Sequence, residues 1–115
     1  MDIESLATAF STHDFDRALP HIADDVVWEL VGGRTIEGKH IVEALAGLTT
    51  DGLAGSTVTV RSARSVVGDG TVVVDTVTHY DHPTDGVSVV ASCDLYDHAD
   101  GVITRIRSYT VELPA

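Results

Sequence analysis

The sequence contains few of the residues on which several classes of protein depend. Its 115 residues include one cysteine, Cys93, so no disulfide can form within the chain. The first residues, Met1-Asp2-Ile3-Glu4, are acidic where a signal peptide is basic. No apolar run approaches the roughly 18–20 residues of a membrane-spanning helix. These features predict a cytoplasmic protein.

Basic residues are also scarce. The sequence has 7 Lys and Arg residues and 18 Asp and Glu residues, which gives a formal net charge of −11. That charge repels phosphate backbones and anionic lipids, and it promotes solubility. Nucleic acid and membrane surfaces are therefore not expected partners.

Several catalytic motifs are absent. The sequence has no Gly-x-Ser-x-Gly motif, and Cys93 has no adjacent histidine. His79 and His82 invite a metal interpretation, but side chains three apart on a strand point to opposite faces. We expect neither a metal nor a cofactor.

The C-terminal half is the most regular part of the chain. It contains four runs rich in β-branched residues, separated by turns with Asp-Gly or Gly-Asp, which favour hairpins. They predict antiparallel strands over Thr57–Val66, Thr71–Tyr80, Val87–Asp97 and Val102–Leu113.

The N-terminal half supplies helices. Apolar spacing predicts helices over 2–12, Phe15–Ile22 and Ile41–Leu48, with Pro20 shortening or bending the second. Strands are expected over Val26–Val31 and, briefly, at Thr35-Ile36, and a loop over 49–56. Helices on one side of a mostly antiparallel sheet define an α+β domain, and one such domain fits residues 1–115. A sheet that curls around helices leaves a conical cavity, a typical place for a ligand.

Three stretches carry a family resemblance. They are Phe10 to Leu30 with its Ala23-Asp24-Asp25-Val26-Val27-Trp28 ending, Ile36-Glu37-Gly38-Lys39-His40-Ile41, and Asp94-Leu95-Tyr96 followed by Asp100 to Tyr109. They resemble the SnoaL-like branch of the nuclear-transport-factor-2-like superfamily. The resemblance implies a cone-shaped α+β barrel, a homodimer, and a small hydrophobic molecule as partner. Its members include polyketide cyclases, ketosteroid isomerases and epoxide hydrolases, and others only bind.

The resemblance also implies which residues surround the pocket. The pocket wall is expected to include Trp28, Leu30, Tyr96, Ile106 and Ser108. Leu6, Leu30 and Ser108 occupy positions that carry catalytic groups in the isomerases or epoxide hydrolases, so neither activity is expected by its usual route. Tyr96 has a packing role as its alternative interpretation.

Asp94 is the main catalytic candidate. It matches the acid that donates a hydrogen bond to the substrate oxygen in the isomerases, and an apolar pocket favours a neutral carboxyl group. Asp75 and His79 share one face of the neighbouring strand, and His79 is the candidate base. The alternatives are an Asp94 turned outward by a shift of register, a partly exposed His79, and an exposed Asp75 beside Arg61 or Arg64.

Two hypotheses follow. The first is a cofactor-free acid–base isomerase or cyclase that uses Asp94, with His79 as base and Asp75 nearby. The second is a non-catalytic ligand-binding or dimerisation module of the same fold. A cavity that brings together at least two ionisable groups would favour the enzyme.

Overall fold

Residues 2–114 are described by the computed structural model, and they form helices followed by long strands. The helices are α1 (Ile3–Ser11), α2 (Phe15–Ala18) and α3 (Lys39–Leu53), with a 3-10 turn at Leu19–His21. The strands are β1 (Ile22–Leu30), β2 (Thr35–Glu37), β3 (Thr57–Val67), β4 (Thr71–His82), β5 (Gly86–Ala99) and β6 (Val102–Leu113). Within the described residues, no helix has the length and apolar character needed to cross a membrane.

The strands form a single curved sheet in the order β2-β1-β6-β5-β4-β3. Neighbouring strands are antiparallel except β1 and β6, which are parallel. The predicted α+β class, with N-terminal helices on a curved and mostly antiparallel sheet, is confirmed. The sheet stays open, because β2 and β3 form its two edges.

Two helical segments differ from the expected ones in length. Pro20 lies in the 3-10 turn, and α2 ends two residues before it, as the missing backbone donor of proline requires. Helix α3 continues through residues expected to be a loop and ends at Leu53. Thr49 contributes to this extension, since its hydroxyl donates a hydrogen bond to the Leu45 carbonyl at 3.0 Å.

The core lies between the helices and the concave side of the sheet. Helix α1 contacts β3, β4 and β5, while α3 contacts β1 and β2. Phe10 of α1 is buried and meets Phe15, Trp28 and Tyr96 edge-to-face, with ring centroids 5.0, 5.1 and 6.0 Å away. Such aromatic pairs add roughly 0.5–1.5 kcal/mol each beyond burial of area. This cluster holds the end of α1 against the sheet.

Alternation along the strands defines two faces of the sheet. On β4, Val72, Val74, Thr76 and Thr78 are buried and point toward the helices, on what we call the inner face. The outer face carries the intervening residues. By strand pairing it includes Val73, Asp75, Val77 and His79 of β4, Ala91, Cys93 and Leu95 of β5, and Arg107, Tyr109 and Val111 of β6.

Candidate functional site

A cavity of about 150 Å³ lies between the end of α1 and the inner face of β4, β5 and β6. Aromatic and apolar side chains form one part of its wall, and hydroxyl groups with one carboxyl group form the other. The lining residues are Phe10, Ser11, His13, Phe15, Trp28, Leu30, Thr49, Thr76, Thr78, Tyr80, Val90, Ser92, Asp94, Ser108 and Thr110. An apolar cavity of similar size is known to hold benzene, so this space suits one small ring.

Asp94 is the acidic group in the wall. It lies in the middle of β5, opposite Val74 of β4 and Ser108 of β6. Only 6% of the surface of Asp94 is exposed. The Ser11 hydroxyl donates to Asp94 Oδ2 at 2.7 Å, and the Ser92 hydroxyl donates to Oδ1 at 3.3 Å. Strand alternation and register thus place this carboxyl group in the cavity.

Behind Asp94, the polar groups form a chain. The hydroxyls of Ser11 and Tyr96 are 2.6 Å apart. Because the Ser11 proton goes to Asp94, the fully buried Tyr96 hydroxyl is the donor to Ser11. On the other side, the Trp28 indole N–H donates to the Ser108 hydroxyl at 3.0 Å. These contacts restrict the orientation of the carboxyl group.

Burial raises the pKa of Asp94 above its ordinary value. The hydroxyls of Ser108, Ser11 and Ser92, and the positive charge that His13 can carry, oppose that rise without cancelling it. The low-dielectric surroundings disfavour the charged form more than the hydroxyl donors stabilise it. Asp94 therefore keeps its proton at a higher pH than an exposed aspartate does.

This pKa shift predicts how stability depends on pH. Because the folded state raises the pKa of Asp94, its contribution to stability is complete below the ordinary pKa and is lost as pH rises through the folded value. Asp94→Asn should therefore gain stability over the wild type as pH rises, by about 1.4 kcal/mol for each unit of the shift. Urea unfolding at a series of pH values from about 3 to about 8 measures this difference. That series covers the range in which carboxyl groups titrate.

Asp75→Asn is the matched control for this measurement, since the Asp75 side chain is 52% exposed and pairs loosely with Arg64 at 3.8 Å. Asp75→Asn should differ little from the wild type in free energy of unfolding, because exposed ion pairs contribute little. Parallel stability curves for Asp94→Asn and the wild type would contradict the assignment of a raised pKa to Asp94.

A second polar pair lines the cavity. The His13 Nε2 and the Tyr80 hydroxyl are 2.7 Å apart. Burial lowers the pKa of His13, although the Asp94 charge acts in the opposite direction. Burial also raises the pKa of Tyr80. Both groups are therefore held toward their neutral forms.

The structure separates the residues predicted for the site. Trp28, Leu30 and Ser108 line the cavity together with Asp94. Tyr96 and Ile106 are fully buried in the core. Tyr96 is connected to the site through Ser11. It is therefore a packing residue of the core and does not line the cavity.

Asp75 and His79 lie on the outer face of β4, away from Asp94. They alternate with Val74, Thr76 and Thr78, whose side chains are buried on the inner face. The expectation that Asp75 and His79 approach Asp94 from the adjacent strand is wrong, because the alternation places both side chains on the opposite face of the sheet. Asp75 instead lies opposite Arg64 of β3, which matches the alternative of an exposed aspartate beside an arginine.

Sequence reasoning missed Ser11, His13 and Tyr80. A signal for Tyr80 was present: the alternate positions Val72, Val74, Thr76 and Thr78 are uncharged, which is typical of an inward face, and Tyr80 continues them. His13 lies in the turn between α1 and α2, where no periodicity predicts the direction of a side chain. Across residues 2–114, no group of three or more His, Cys, Asp or Glu could hold a metal ion.

A curved sheet covered by helices, with a carboxyl group in the cavity between them, defines the class: an α+β protein with an internal pocket. The model of the SnoaL-like domain matches residues 3–106. The chain therefore belongs to the SnoaL-like domain family, as the resemblance predicted. No curated protein matches it significantly.

Solved structures agree on the fold. An NTF2-like protein of unknown function from Cytophaga hutchinsonii is 22% identical, with a TM-score of 0.80 over 93% of this chain and 94% of that one. A proposed polyketide cyclase from Xanthomonas campestris is 21% identical, with a TM-score of 0.73 over 93% and 85%. An epoxide hydrolase from M. tuberculosis, described as LEH-like, is 23% identical, with a TM-score of 0.65 over 95% and 79%. At these identities the similarity establishes the fold alone.

Proposed function

We propose that this protein binds a small, uncharged and mainly hydrophobic molecule in the cavity and acts on it by cofactor-free acid–base catalysis, with Asp94 as the acid. The observation that supports this proposal is a carboxyl group buried in a cavity wall, with a raised pKa and hydroxyl groups that fix its orientation. A neutral carboxyl group donates a hydrogen bond to a carbonyl oxygen and stabilises the negative charge that develops there.

The reaction class follows from that role. Stabilising charge on a carbonyl oxygen favours removal of a proton from the adjacent carbon, which gives an enol or enolate. Isomerisation and aldol-type cyclisation both proceed through such a species. The related structures include a proposed polyketide cyclase, which is compatible with a cyclisation of this kind at the same fold.

The ligand class follows from the size and lining of the cavity. Phe10, Phe15 and Trp28 provide flat apolar surfaces for a ring, while Asp94 and neighbouring hydroxyls suit an oxygen atom. The formal charge of −11 disfavours anionic ligands. Cyclohexanone, a neutral ring with one carbonyl group, is therefore a suitable probe.

Cyclohexanone should bind in the cavity, and blocking the cavity should abolish that binding. Val90 lines the cavity, so Val90→Trp is expected to weaken binding at least 10-fold, a change of about 1.4 kcal/mol. Chemical shift changes of backbone amides in an NMR titration measure the affinity and identify the residues near the probe. The amide shifts of Asp94 and Ser108 should be among those that change most.

Val87→Trp is the matched control. Val87 lies on the same strand and is 47% exposed, so the added ring stays in solvent. It should bind cyclohexanone as the wild type does. Equal affinity of all three proteins, or shifts confined to residues outside the cavity, would contradict the proposed ligand site.

A non-catalytic binding module is the second candidate function. Leu6, Leu30 and Ser108 favour it, because they stand where the enzymes that the chain resembles carry catalytic groups. A binding module requires the same cavity and the same probe affinity. It differs in that the bound ketone would not exchange its protons.

We also propose that the chain forms a homodimer through the outer face of the sheet. On that face the apolar side chains of Val73, Val77, Ala91 and Leu95 surround Asp75 and Cys93, and the exposed Tyr109 and Val111 extend this group. Apolar side chains grouped on one exposed face are typical of protein–protein interfaces. A second copy would cover them, and a twofold axis would bring each patch onto itself.

A further inference from the structure

The proposed reaction needs a proton acceptor as well as an acid. His79, the acceptor expected from the sequence, lies on the outer face of β4. His13 and Tyr80, in contrast, both line the cavity that contains Asp94. Their 2.7 Å contact joins the turn after α1 to the inner face of β4.

The conformation of His13 is unusual. Its φ angle is +68°, a region that non-glycine residues seldom occupy. Sparsely populated backbone conformations of this kind occur disproportionately at functional sites, where surrounding contacts hold them in place. Here the imidazole packs between Phe15 and Tyr80, with ring centroids 5.6 and 6.0 Å away.

The two ring nitrogens of His13 differ in their surroundings. Nε2 meets the Tyr80 hydroxyl, whereas Nδ1 is buried and has no hydrogen-bond partner within residues 2–114. Because Nδ1 is not accessible from the cavity, a ligand would meet the pair through the Tyr80 hydroxyl.

We propose that Tyr80 is the catalytic residue that removes the substrate proton, and that His13 is the positioning residue that accepts the Tyr80 hydroxyl proton at Nε2. This inference rests on the proposed function and completes it, because it assigns the acceptor that faces Asp94. It also narrows the substrate class to neutral carbonyl compounds with an acidic C–H next to the carbonyl group.

The proton transfers balance without a cofactor. The substrate carbon gives its proton to Tyr80 Oη as the Tyr80 proton moves to His13 Nε2. The electron pair of the C–H bond becomes the new C=C π bond, and the π pair of the carbonyl group moves to its oxygen. Asp94 gives its proton to that oxygen, so an enol, a His13 imidazolium and an Asp94 carboxylate result. The enol then takes a proton from Tyr80 at the same carbon or at another carbon, as Tyr80 recovers its proton from His13. The enol oxygen returns its proton to Asp94, and all three side chains are neutral again.

The charges around His13 are compatible with this role. From β4 and β5, Tyr80 and Asp94 face it, and Asp94 stabilises the imidazolium form. On its far side, a surface groove carries Asp16, Glu43 and Asp51, and the adjacent Asp14 pairs with Arg17 at 3.3 Å. The imidazolium would thus form among carboxyl groups, one of which is already paired with Arg17.

Histidine NMR tests the pair without any substrate. For the Tyr80 hydroxyl to donate to Nε2, the neutral imidazole must carry its proton on Nδ1, and ¹⁵N chemical shifts distinguish the two tautomers. We expect the Nδ1–H tautomer for His13 in the wild type. The Nε2–H tautomer would overturn the relay, because Nε2 could not then accept a proton.

Deuterium exchange of the α-hydrogens of cyclohexanone in D₂O tests the role in catalysis. His13→Gly is the suitable variant, because glycine adopts a positive φ without strain. We expect it to lower the exchange rate at least 10-fold and added imidazole to restore part of that rate. Tyr80→Phe, which removes one oxygen atom, should lower the rate to a similar extent and should not respond to imidazole.

The pH profile separates catalysis from structure. The wild-type rate should have a bell-shaped dependence on pH, because it needs a neutral His13 and a protonated Asp94. His13→Gly should lose the limb in which the rate falls toward low pH. His79→Gln and Tyr109→Phe, both on the outer face, are matched controls and should keep the wild-type rate and profile.

The outcomes distinguish this inference from the proposed function. If Asp94→Asn loses exchange while His13→Gly and Tyr80→Phe match the wild type, the inference is overturned and the proposed function stands. If Asp94→Asn matches the wild type, the proposed function fails whatever the other variants do. Loss of exchange in all three variants, with imidazole rescue of His13→Gly, supports both.

Discussion

Asp94→Asn should lower the rate of cyclohexanone deuterium exchange by at least about 100-fold, the lower end of what a positioned acid or base contributes. The variant keeps the size of the side chain and an oxygen that accepts from Ser11, but it loses the acidic proton. An amide is too weak an acid to protonate the developing enolate. Exchange is followed by NMR as loss of the α-proton signal, after subtraction of the rate without protein.

Asp75→Asn removes the same kind of group one strand away and is the matched control. Asp75 lies beside Cys93 in the β4–β5 pairing but on the outer face, so its carboxyl group cannot reach the cavity. Its exchange rate should equal that of the wild type. Cyclohexanone binding measured in parallel should persist in Asp94→Asn, so that a lost rate reflects chemistry and not occupancy. Equal rates in the two Asn variants would overturn the role of Asp94 as the acid.

Ser11 connects this prediction to the polar chain behind the site. Its hydroxyl donates to Asp94 and receives the proton of the buried Tyr96 hydroxyl. Ser11→Ala would leave the Tyr96 hydroxyl without this partner and remove a donor that lowers the pKa of Asp94. The acid would then titrate at higher pH, and the alkaline limb of the rate profile should move in the same direction.

The strands were predictable because their determinants are local. Asp-Gly and Gly-Asp turns between β-branched runs specify hairpins whatever the rest of the chain does. Strand β6 spans the predicted Val102–Leu113, and β4 extends only two residues beyond the predicted Thr71–Tyr80. With the register of these hairpins set, Asp94 comes to lie opposite Ser108 on the inner face.

The base could not be predicted in the same way. The chemistry of His79 and Asp75 suits catalysis, yet ionisable residues at alternate positions of a strand are typical of its solvent side. Position alone separates them from Thr76 and Thr78, one residue away. Because Tyr80 follows Thr76 and Thr78 at alternate positions, it faces the cavity, and the same alternation on β5 places Ser92 on that face with Asp94.

Contacts distant in sequence determine the remaining part of the site. His13 reaches Tyr80, 67 residues later, and Ser11 reaches Asp94, 83 residues later. Both depend on how the α1–α2 turn lies on the sheet, which the aromatic contacts of Phe10 and Phe15 stabilise. No local pattern in Thr12-His13-Asp14 encodes that placement.

Val77→Arg should convert the proposed dimer to a monomer. Val77 lies on the outer face of β4, between Ser62 of β3 and Ala91 of β5, among the residues of the proposed interface. Because a twofold interface joins the same patch of both subunits, one substitution introduces two arginines, which repel each other and lose hydration when buried. Analytical ultracentrifugation should give twice the chain mass of 12.2 kDa for the wild type and the chain mass itself for the variant.

Ile41→Arg is the control for this substitution. Ile41 is 54% exposed on α3, on the opposite side of the sheet, so an arginine there adds the same charge without touching the outer face. That variant should remain a dimer at the concentration at which Val77→Arg is a monomer. A monomeric wild type would exclude the proposed interface. If the cavity still binds cyclohexanone in the monomeric variant, the site is complete within one subunit, as the placement of Asp94, His13 and Tyr80 in a single chain predicts.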